Sequence, residues 1–180
     1  MHRIQAHITL AIIFVIGITI LYLPIMAKLK RKGKSIIRQC GYLGLFCSLF
    51  LIIFATILFV PITLHPEQYI LNFIPFNWIF EEEDVINHFI VEVVPNIMMF
   101  IPLGIFIPVI LKNKRNILKT LVMVLAVTFS VEFVQYFIGR SSDINDIITN
   151  LLGGVIGYGI FIVANNLFKN KNWWKQLLEN

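Results

Sequence analysis

Residues 131–154 read VEFVQYFIGRSSDINDIITNLLGG and join two long apolar runs, 117–138 and 147–168. Each run has about the 20 residues that a helix needs to cross a hydrocarbon core of about 30 Å. The polar residues between them are too few to form a domain. The stretch therefore predicts two transmembrane helices joined by a short polar turn.

The chain before this hairpin repeats the pattern, with apolar runs at 4–24, 39–60 and 89–111. Of the 180 residues, 58% are hydrophobic and 14% are charged, whereas soluble domains are about half apolar and a quarter charged. The five runs occupy most of the chain. We therefore predict an all-α membrane protein, a single multi-pass domain over 1–180 built as a bundle of about five transmembrane helices.

The basic residues predict how the bundle is oriented. Thirteen of the fifteen Lys and Arg lie in the segments 28–38, 112–119 and 169–175, and only Arg3 and Arg140 lie on the other side. Cytoplasmic loops carry the excess of positive charge, so we expect the N-terminus outside and the C-terminus in the cytoplasm. The net charge of +5 sits in short segments beside the membrane, which predicts membrane lipids as partners and no nucleic acid.

Polar residues of the last three runs fall in the same outer half of the membrane. Glu132 lies about 9 Å below the outer end of its run, with Gln135 one turn shallower. A charge inside a bilayer costs about 2.5–3.5 kcal/mol on insertion scales, so intramembrane acids are functional candidates. The predicted ligand-binding residues are Asn96, Glu132, Gln135, Arg140, Asp143, Asp146 and Asn150.

Structural roles are open alternatives for several of these residues. Asp143 and Asp146 are spaced as a capping box at the start of the last run. Asn96 follows Pro95 and could satisfy a carbonyl group freed by a proline kink. Gln135 could form a hydrogen bond between helices. Glu132 is too deep for capping and is the hardest to explain structurally.

A metal is not assigned. His88 and Glu92 are four residues apart, as two ligands on one helix face would be, but a surface histidine is the simpler interpretation. The acids Glu92, Glu132, Asp143 and Asp146 outnumber Arg140, so either some are protonated or a cation lies among them. The cofactor, if any, stays open.

The segment LNFIPFNWIF at 71–80 is aromatic and apolar but too short to span a bilayer. We expect it either to lie along the membrane interface or to cover the polar site.

Three stretches together resemble the VanZ-like family: NFIPF (72–76), NIMMFIPLGIFIP (96–108) and SVEFVQYFIGRSSDINDIITNLLGG (130–154), within a core of roughly 70–160. The resemblance implies a multi-pass protein of the bacterial cell membrane, associated with low-level resistance to the lipoglycopeptide teicoplanin. The family motif would fall on Asn96, Pro102, Gly104, Glu132, Gln135, Arg140, Asp143, Asp146, Asn150 and Gly153.

Two functions follow from these observations. The first is an envelope-modulating protein whose outer-leaflet pocket binds a lipid or glycolipid headgroup. The alternative is a membrane-embedded transferase or hydrolase for a lipid-linked envelope substrate, with Glu132 as acid or base and Asp143 and Asp146 on a divalent cation. No catalytic residue is assigned, because no nucleophile or phosphate-loop motif appears. Partners would be membrane lipids and either a lipid-linked precursor or the lipoglycopeptide, and the oligomeric state stays open.

Overall fold

The structure, a computed structural model, describes residues 2–58, 71–111 and 115–178. Within these ranges, five helices are long and apolar enough to cross a membrane, as predicted: Ile12–Arg31, Ile36–Ile57, Val85–Ile110, Ile117–Phe137 and Ile144–Phe168. The last two residues of the predicted 39–60 run lie outside the described residues.

The helices are α1 (His2–Arg31), α2 (Ile36–Ile53), α3 (Trp78–Glu81), α4 (Val85–His88), α5 (Val94–Ile110), α6 (Ile117–Phe137), α7 (Ile144–Phe168) and α8 (Asn172–Leu178). A π-helical turn at Phe54–Leu58 extends α2, and another at Phe89–Val93 joins α4 to α5. Two short strands, β1 (Leu71–Asn72) and β2 (Ser142–Asp143), pair in parallel. Helix starts differ by a few residues from the apolar runs because polar caps set them, as Ser35 does for α2.

Glycines bring α5 and α7 together at the centre of the bundle, where the two helices make the most extensive contact of the fold. A Cβ atom on Gly153 or Gly157 would clash with backbone carbonyl oxygens of α5. Gly104 of α5 faces the backbone of α7 at Gly154 in the same way. Small residues of this kind let transmembrane helices approach closely, so this pair fixes the position of the polar residues at its ends.

The other helices surround this pair. α6 packs on α7, α2 packs on α5, and α1 packs on α2. The buried apolar core between them is formed by Ile52, Phe100, Leu103, Ile107, Val124 and Val131, with a smaller cluster of Val109, Phe161 and Trp174 near α8. The outward faces are apolar and exposed, as a lipid-facing surface requires.

Arg38 departs from the prediction that the basic segments face lipid headgroups. Its side chain is only 4% exposed and donates hydrogen bonds to the carbonyl oxygens of Val109 (2.6 Å), Ile110 (2.8 Å) and Leu177 (2.8 Å). The last carbonyls of a helix lack partners within the helix and attract cations. Arg38 therefore ties the start of α2 to the ends of α5 and α8.

The turn between α6 and α7 depends on one glycine. Gly139 has φ of 82°, a left-handed conformation that favours glycine. The backbone N–H of Arg140 donates to the carbonyl of Gln135 (3.0 Å) and that of Gly139 to Tyr136 (3.4 Å), which together form a Schellman motif. This motif reverses the chain and turns Arg140 back towards the end of α6.

Candidate functional site

Glu132 is the central residue of the polar network and is 3% exposed. Its carboxylate accepts a hydrogen bond from the backbone N–H of Asp143 at 3.0 Å, and the Ser142 side chain binds it as well. The last turns of α6 therefore hold the strand β2 and the start of α7 through a single carboxylate. A buried acid needs such donors, and here they come from both the backbone and side chains.

Gln135 links Glu132 to Arg140. With its amide nitrogen turned towards Glu132, the side chain donates to the carboxylate (3.1 Å) and accepts from the Arg140 guanidinium (2.9 Å); hydrogen bonding decides between the two amide orientations. Arg140 also donates to the carbonyl oxygen of Thr56 at 3.3 Å, within the π-helical turn that extends α2. Gln135 therefore holds the Glu132 carboxylate and the Arg140 guanidinium in a fixed orientation relative to each other.

Asp146 and Asn96 connect α7 to α5. The Asn96 amide donates to Asp146 Oδ1 at 2.6 Å, a short distance typical of a hydrogen bond to a charged acceptor. Asp143, Arg140 and Glu92 are near enough to Asp146 to interact with it electrostatically. The predicted alternative of kink repair for Asn96 is thus replaced by a contact between helices.

Asn150 lies deeper, one turn beyond Asp146. Its amide nitrogen donates to Thr128 Oγ1 at 2.7 Å, and both side chains are buried, with 3% and 0% exposed. Among the described residues, none donates to Asn150 Oδ1. This oxygen is a buried acceptor that a ligand could satisfy.

A polar cavity of about 380 Å³ lies among these side chains. Six of the seven predicted ligand-binding residues line it: Asn96, Glu132, Gln135, Arg140, Asp146 and Asn150, together with Thr56, Glu92 and Ser141. Both π-helical turns contribute to the wall, through Thr56 and Glu92. π-Helical turns of this kind are frequent at functional sites.

Asp143 is the predicted residue that the cavity does not include. Its carboxylate caps α7 by accepting from the N–H of Asn145 (2.7 Å) and accepts from the Asn72 amide (2.9 Å). The capping role that the spacing allowed is therefore the one observed. The fold uses this carboxylate, and Asp143 does not line the polar cavity.

The segment that carries β1 is tied to the site by asparagines. Asn72 and Asn145 both donate to the side-chain oxygen of Asn77 at 3.0 Å, and Asn145 accepts from the N–H of Phe76 at 2.6 Å. Phe76 adopts a positive φ of 60° at this contact. The 71–77 chain is thus held against the start of α7, beside the cavity.

An apolar groove of about 720 Å³ lies on the other side of Glu132. Its walls are mainly aromatic and aliphatic side chains of the segment 71–73, α6 and α7, including Phe73, Phe133 and Ile147. The polar residues Ser142 and Asp143 also line it. Phe73 and Phe133 are 72% and 66% exposed, so the groove opens on the lipid-facing surface. Glu132 lines both spaces and separates the polar cavity from the apolar groove.

His88 and Glu92, the weak metal candidates, lie beside Glu82 and Trp78. His88 Nδ1 lies 4.0 Å from Glu92 and 3.7 Å from Glu82, and its ring stacks on Trp78. In the described ranges, no three His, Cys, Asp or Glu side chains come together as metal ligands would.

The sequence model of the VanZ/LLP1 family matches residues 9–165. The chain belongs to the VanZ/LLP1 family. Protein VanZ from Enterococcus faecium is 33% identical over 81 residues, which cover 44% of this chain and 50% of that protein. The alignment thus spans about half the length of this curated relative. No solved structure matches the chain.

The family assignment confirms the resemblance, and the match begins well before the predicted core of roughly 70–160. In this VanZ/LLP1 protein, sequence reasoning missed Thr56, Asn77 and Asn145 as neighbours of the site. Asn72 lies inside the NFIPF motif, so the sequence did mark it as a position of interest. Thr56 carried none, since it takes part through its backbone carbonyl.

Proposed function

We propose that this VanZ/LLP1 protein binds the headgroup of an outer-leaflet lipid or glycolipid and thereby modulates susceptibility to the lipoglycopeptide teicoplanin. The observation that carries the proposal is the position of Glu132 between a polar cavity of about 380 Å³ and an apolar groove of about 720 Å³. Adjacent spaces of these two kinds suit an amphiphile, with its headgroup in the first and an acyl chain along the second.

The charges of the cavity favour a headgroup rich in hydrogen-bond donors. Glu92, Glu132 and Asp146 line it against the single guanidinium of Arg140. Asn150 Oδ1 adds a buried acceptor to which no described residue donates. Hydroxyl or ammonium groups, as in sugars and amino sugars, would satisfy these acceptors, and Arg140 would bind an anionic part of the same headgroup.

The charge pattern of the chain supports the outer leaflet of the bacterial cell membrane as the place of binding. The cavity lies at the end of the bundle opposite the basic segments, which the positive-inside rule assigns to the cytoplasm. A cysteine replacing the exposed Ser141 in a background without Cys40 and Cys47 should react with a membrane-impermeant thiol reagent on intact cells. Labelling only after cell lysis would place the cavity inside and overturn the proposal.

A membrane-embedded transferase or hydrolase is the second candidate, and the presence of Ser141 in the same cavity as Glu132 and Asp146 favours it. In that case a carboxylate would act as general base on a hydroxyl group or water. The substrate would be a lipid-linked envelope precursor, held as proposed for the headgroup.

The test compares variants at matched membrane levels. Asp146→Asn removes one cavity carboxylate, and Glu83→Gln removes an exposed acid outside the cavity as the matched control. We expect Asp146→Asn to lose the effect on teicoplanin susceptibility while vancomycin susceptibility and the Glu83→Gln control stay unchanged. Lipids that co-purify in mild detergent, identified by mass spectrometry, should be depleted in the same variant.

Each other outcome has a defined meaning. Equal behaviour of Asp146→Asn and Glu83→Gln in both assays would refute the proposed cavity function. Accumulation of a chemically modified lipid with the unaltered protein, absent with Asp146→Asn, would replace headgroup binding by the enzymatic candidate.

A further inference from the structure

A second cavity lies at the opposite, basic end of the bundle. It has a volume of about 620 Å³ and lies between the end of α1, the start of α2 and α8. The polar residues that line it include Lys34, Arg38, Gln39 and Gln176, and the first residue of α2 follows the cap Ser35 at its edge. No residue of the proposed headgroup cavity takes part.

The lining of this second cavity is positively charged. Among the described residues that line it, none is Asp or Glu. The guanidinium of Arg38 donates to neutral carbonyl oxygens and lies 5.1 Å from the ring centre of Tyr42. The charges are thus held in place by the fold, and no lining carboxylate opposes them.

The cavity continues into an apolar groove of about 410 Å³ between α1 and α2. Tyr22 and Phe46 line both spaces. The Tyr22 hydroxyl donates to Gln39 Oε1 at 2.8 Å, which anchors the boundary between them. Beyond it, the groove is lined by aliphatic and aromatic side chains such as Leu43 and Phe50.

We infer that this cavity and groove bind an anionic phospholipid, with its phosphate near Lys34 and the start of α2 and an acyl chain between α1 and α2. Two features select this occupant. Basic pockets between transmembrane helices attract anionic headgroups, and the first turn of a helix adds a favourable dipole for a phosphate. The adjoining groove has the apolar lining that an acyl chain requires.

The experiment measures lipid binding to the full-length protein by native mass spectrometry. The probes are phosphatidylglycerol and phosphatidylcholine with identical acyl chains. Lys34→Gln removes the accessible lysine of the cavity, and Lys32→Gln removes an equally exposed lysine two residues away that does not line it. Leu43→Trp fills the groove without changing charge. Arg38 is left intact because it holds three helices together.

We expect the unaltered protein to prefer phosphatidylglycerol and Lys34→Gln to weaken that binding about five-fold, the effect of one basic residue near a lipid phosphate. Lys32→Gln should change it by less than about two-fold, because an exposed charge outside the cavity is screened. Leu43→Trp should weaken binding of both lipids.

Equal effects of Lys34→Gln and Lys32→Gln would overturn the inference, because the lysines would then attract the lipid by their charge alone and not through a specific cavity. Equal affinity for the two lipids would do the same. A dimer that dissociates with Leu43→Trp would show that a second copy of the chain, and not a lipid, fills the groove. Glu83→Gln, at an exposed acid that lines neither cavity, should leave phosphatidylglycerol binding unchanged.

Discussion

Replacing Glu132 with glutamine tests whether its carboxylate serves the fold or the ligand. The change keeps the size of the side chain but removes its charge. In the structure the carboxylate accepts from the N–H of Asp143 at 3.0 Å and from the Gln135 amide at 3.1 Å. Glutamine retains one carbonyl oxygen for these donors, and its new amide nitrogen cannot accept from the other.

Two opposing terms determine the effect on stability. A hydrogen bond to a charged group contributes about 1.5–3 kcal/mol and a neutral one about 0.5–1.5 kcal/mol, so the exchange costs about 1–2 kcal/mol. Removing the charge of Glu132 from the membrane stabilises the protein by a similar amount. The full effect is about 2.5–3.5 kcal/mol at the centre of a bilayer, and it is smaller here because Glu132 lies about 9 Å from the helix end. We therefore expect the unfolding free energy of Glu132→Gln to lie within about 1 kcal/mol of that of the unaltered protein.

Glu132→Ala is the matched comparison. The change removes both oxygen atoms of the Glu132 carboxylate, so the N–H groups of Asp143 and Gln135 lose their acceptor. Each unsatisfied N–H group lowers the unfolding free energy by about 1–3 kcal/mol. Unfolding in mixed micelles should show a loss of stability for alanine that is absent for glutamine. Both variants should lose the proposed effect on teicoplanin susceptibility. The reasoning fails if glutamine destabilises as much as alanine, which would make the carboxylate structural, or if glutamine keeps the phenotype.

Three further predictions concern the fold. Arg38→Met should lower the unfolding free energy by about 2–4 kcal/mol because buried carbonyl groups lose a charged donor. Arg31→Met, at an exposed position, should change it by less than about 0.5 kcal/mol. Denaturation in mixed micelles measures both variants, and equal effects would contradict the capping role of Arg38. Gly157→Leu should disrupt packing of α7 on α5 and reduce the folded yield in size-exclusion chromatography, whereas Gly159→Leu, with nothing within 4 Å of the glycine, should not. Asn72→Ala should speed hydrogen exchange of the segment that carries β1, because three hydrogen bonds are lost. Unchanged exchange would show that those bonds do not hold the segment.

Periodicity and hydropathy were sufficient to predict the five long helices and most of the cavity. Glu132 and Gln135 reach the same cavity because helical residues three and four apart share a face. Asp146 and Asn150 do so for the same reason, and their depth in the bilayer matches because α6 and α7 are joined by a short turn. Depth and face are both properties of local sequence, so they could be predicted before the structure was known.

Contacts made through the backbone could not be predicted. The sequence gives no signal for the burial of Arg38, because its acceptors are carbonyl groups, which every residue carries. The pairing of β1 with β2 joins two-residue strands, too short for an alternating pattern. The spacing of Asp143 fits both a helix cap and a ligand site, so the sequence alone does not decide between them. Which of the two forms depends on Asn72, which lies 71 residues away in sequence.

The direction of the central helices accounts for the different charges at the two ends of the bundle. α5 and α7 both begin at the end that holds the acids, whereas arginines bind the last carbonyls of α5 and of α8, the short helix that follows α7. The start of a helix offers unpaired N–H groups and partial positive charge, and its end offers carbonyl groups and partial negative charge. Glu132 accordingly accepts from an N–H at the start of α7, and Arg38 donates to carbonyls at the end of α5. Insertion with the basic end in the cytoplasm would then place the start of α7, and the acids Glu132 and Asp143 that bind its N–H groups, on the outer side.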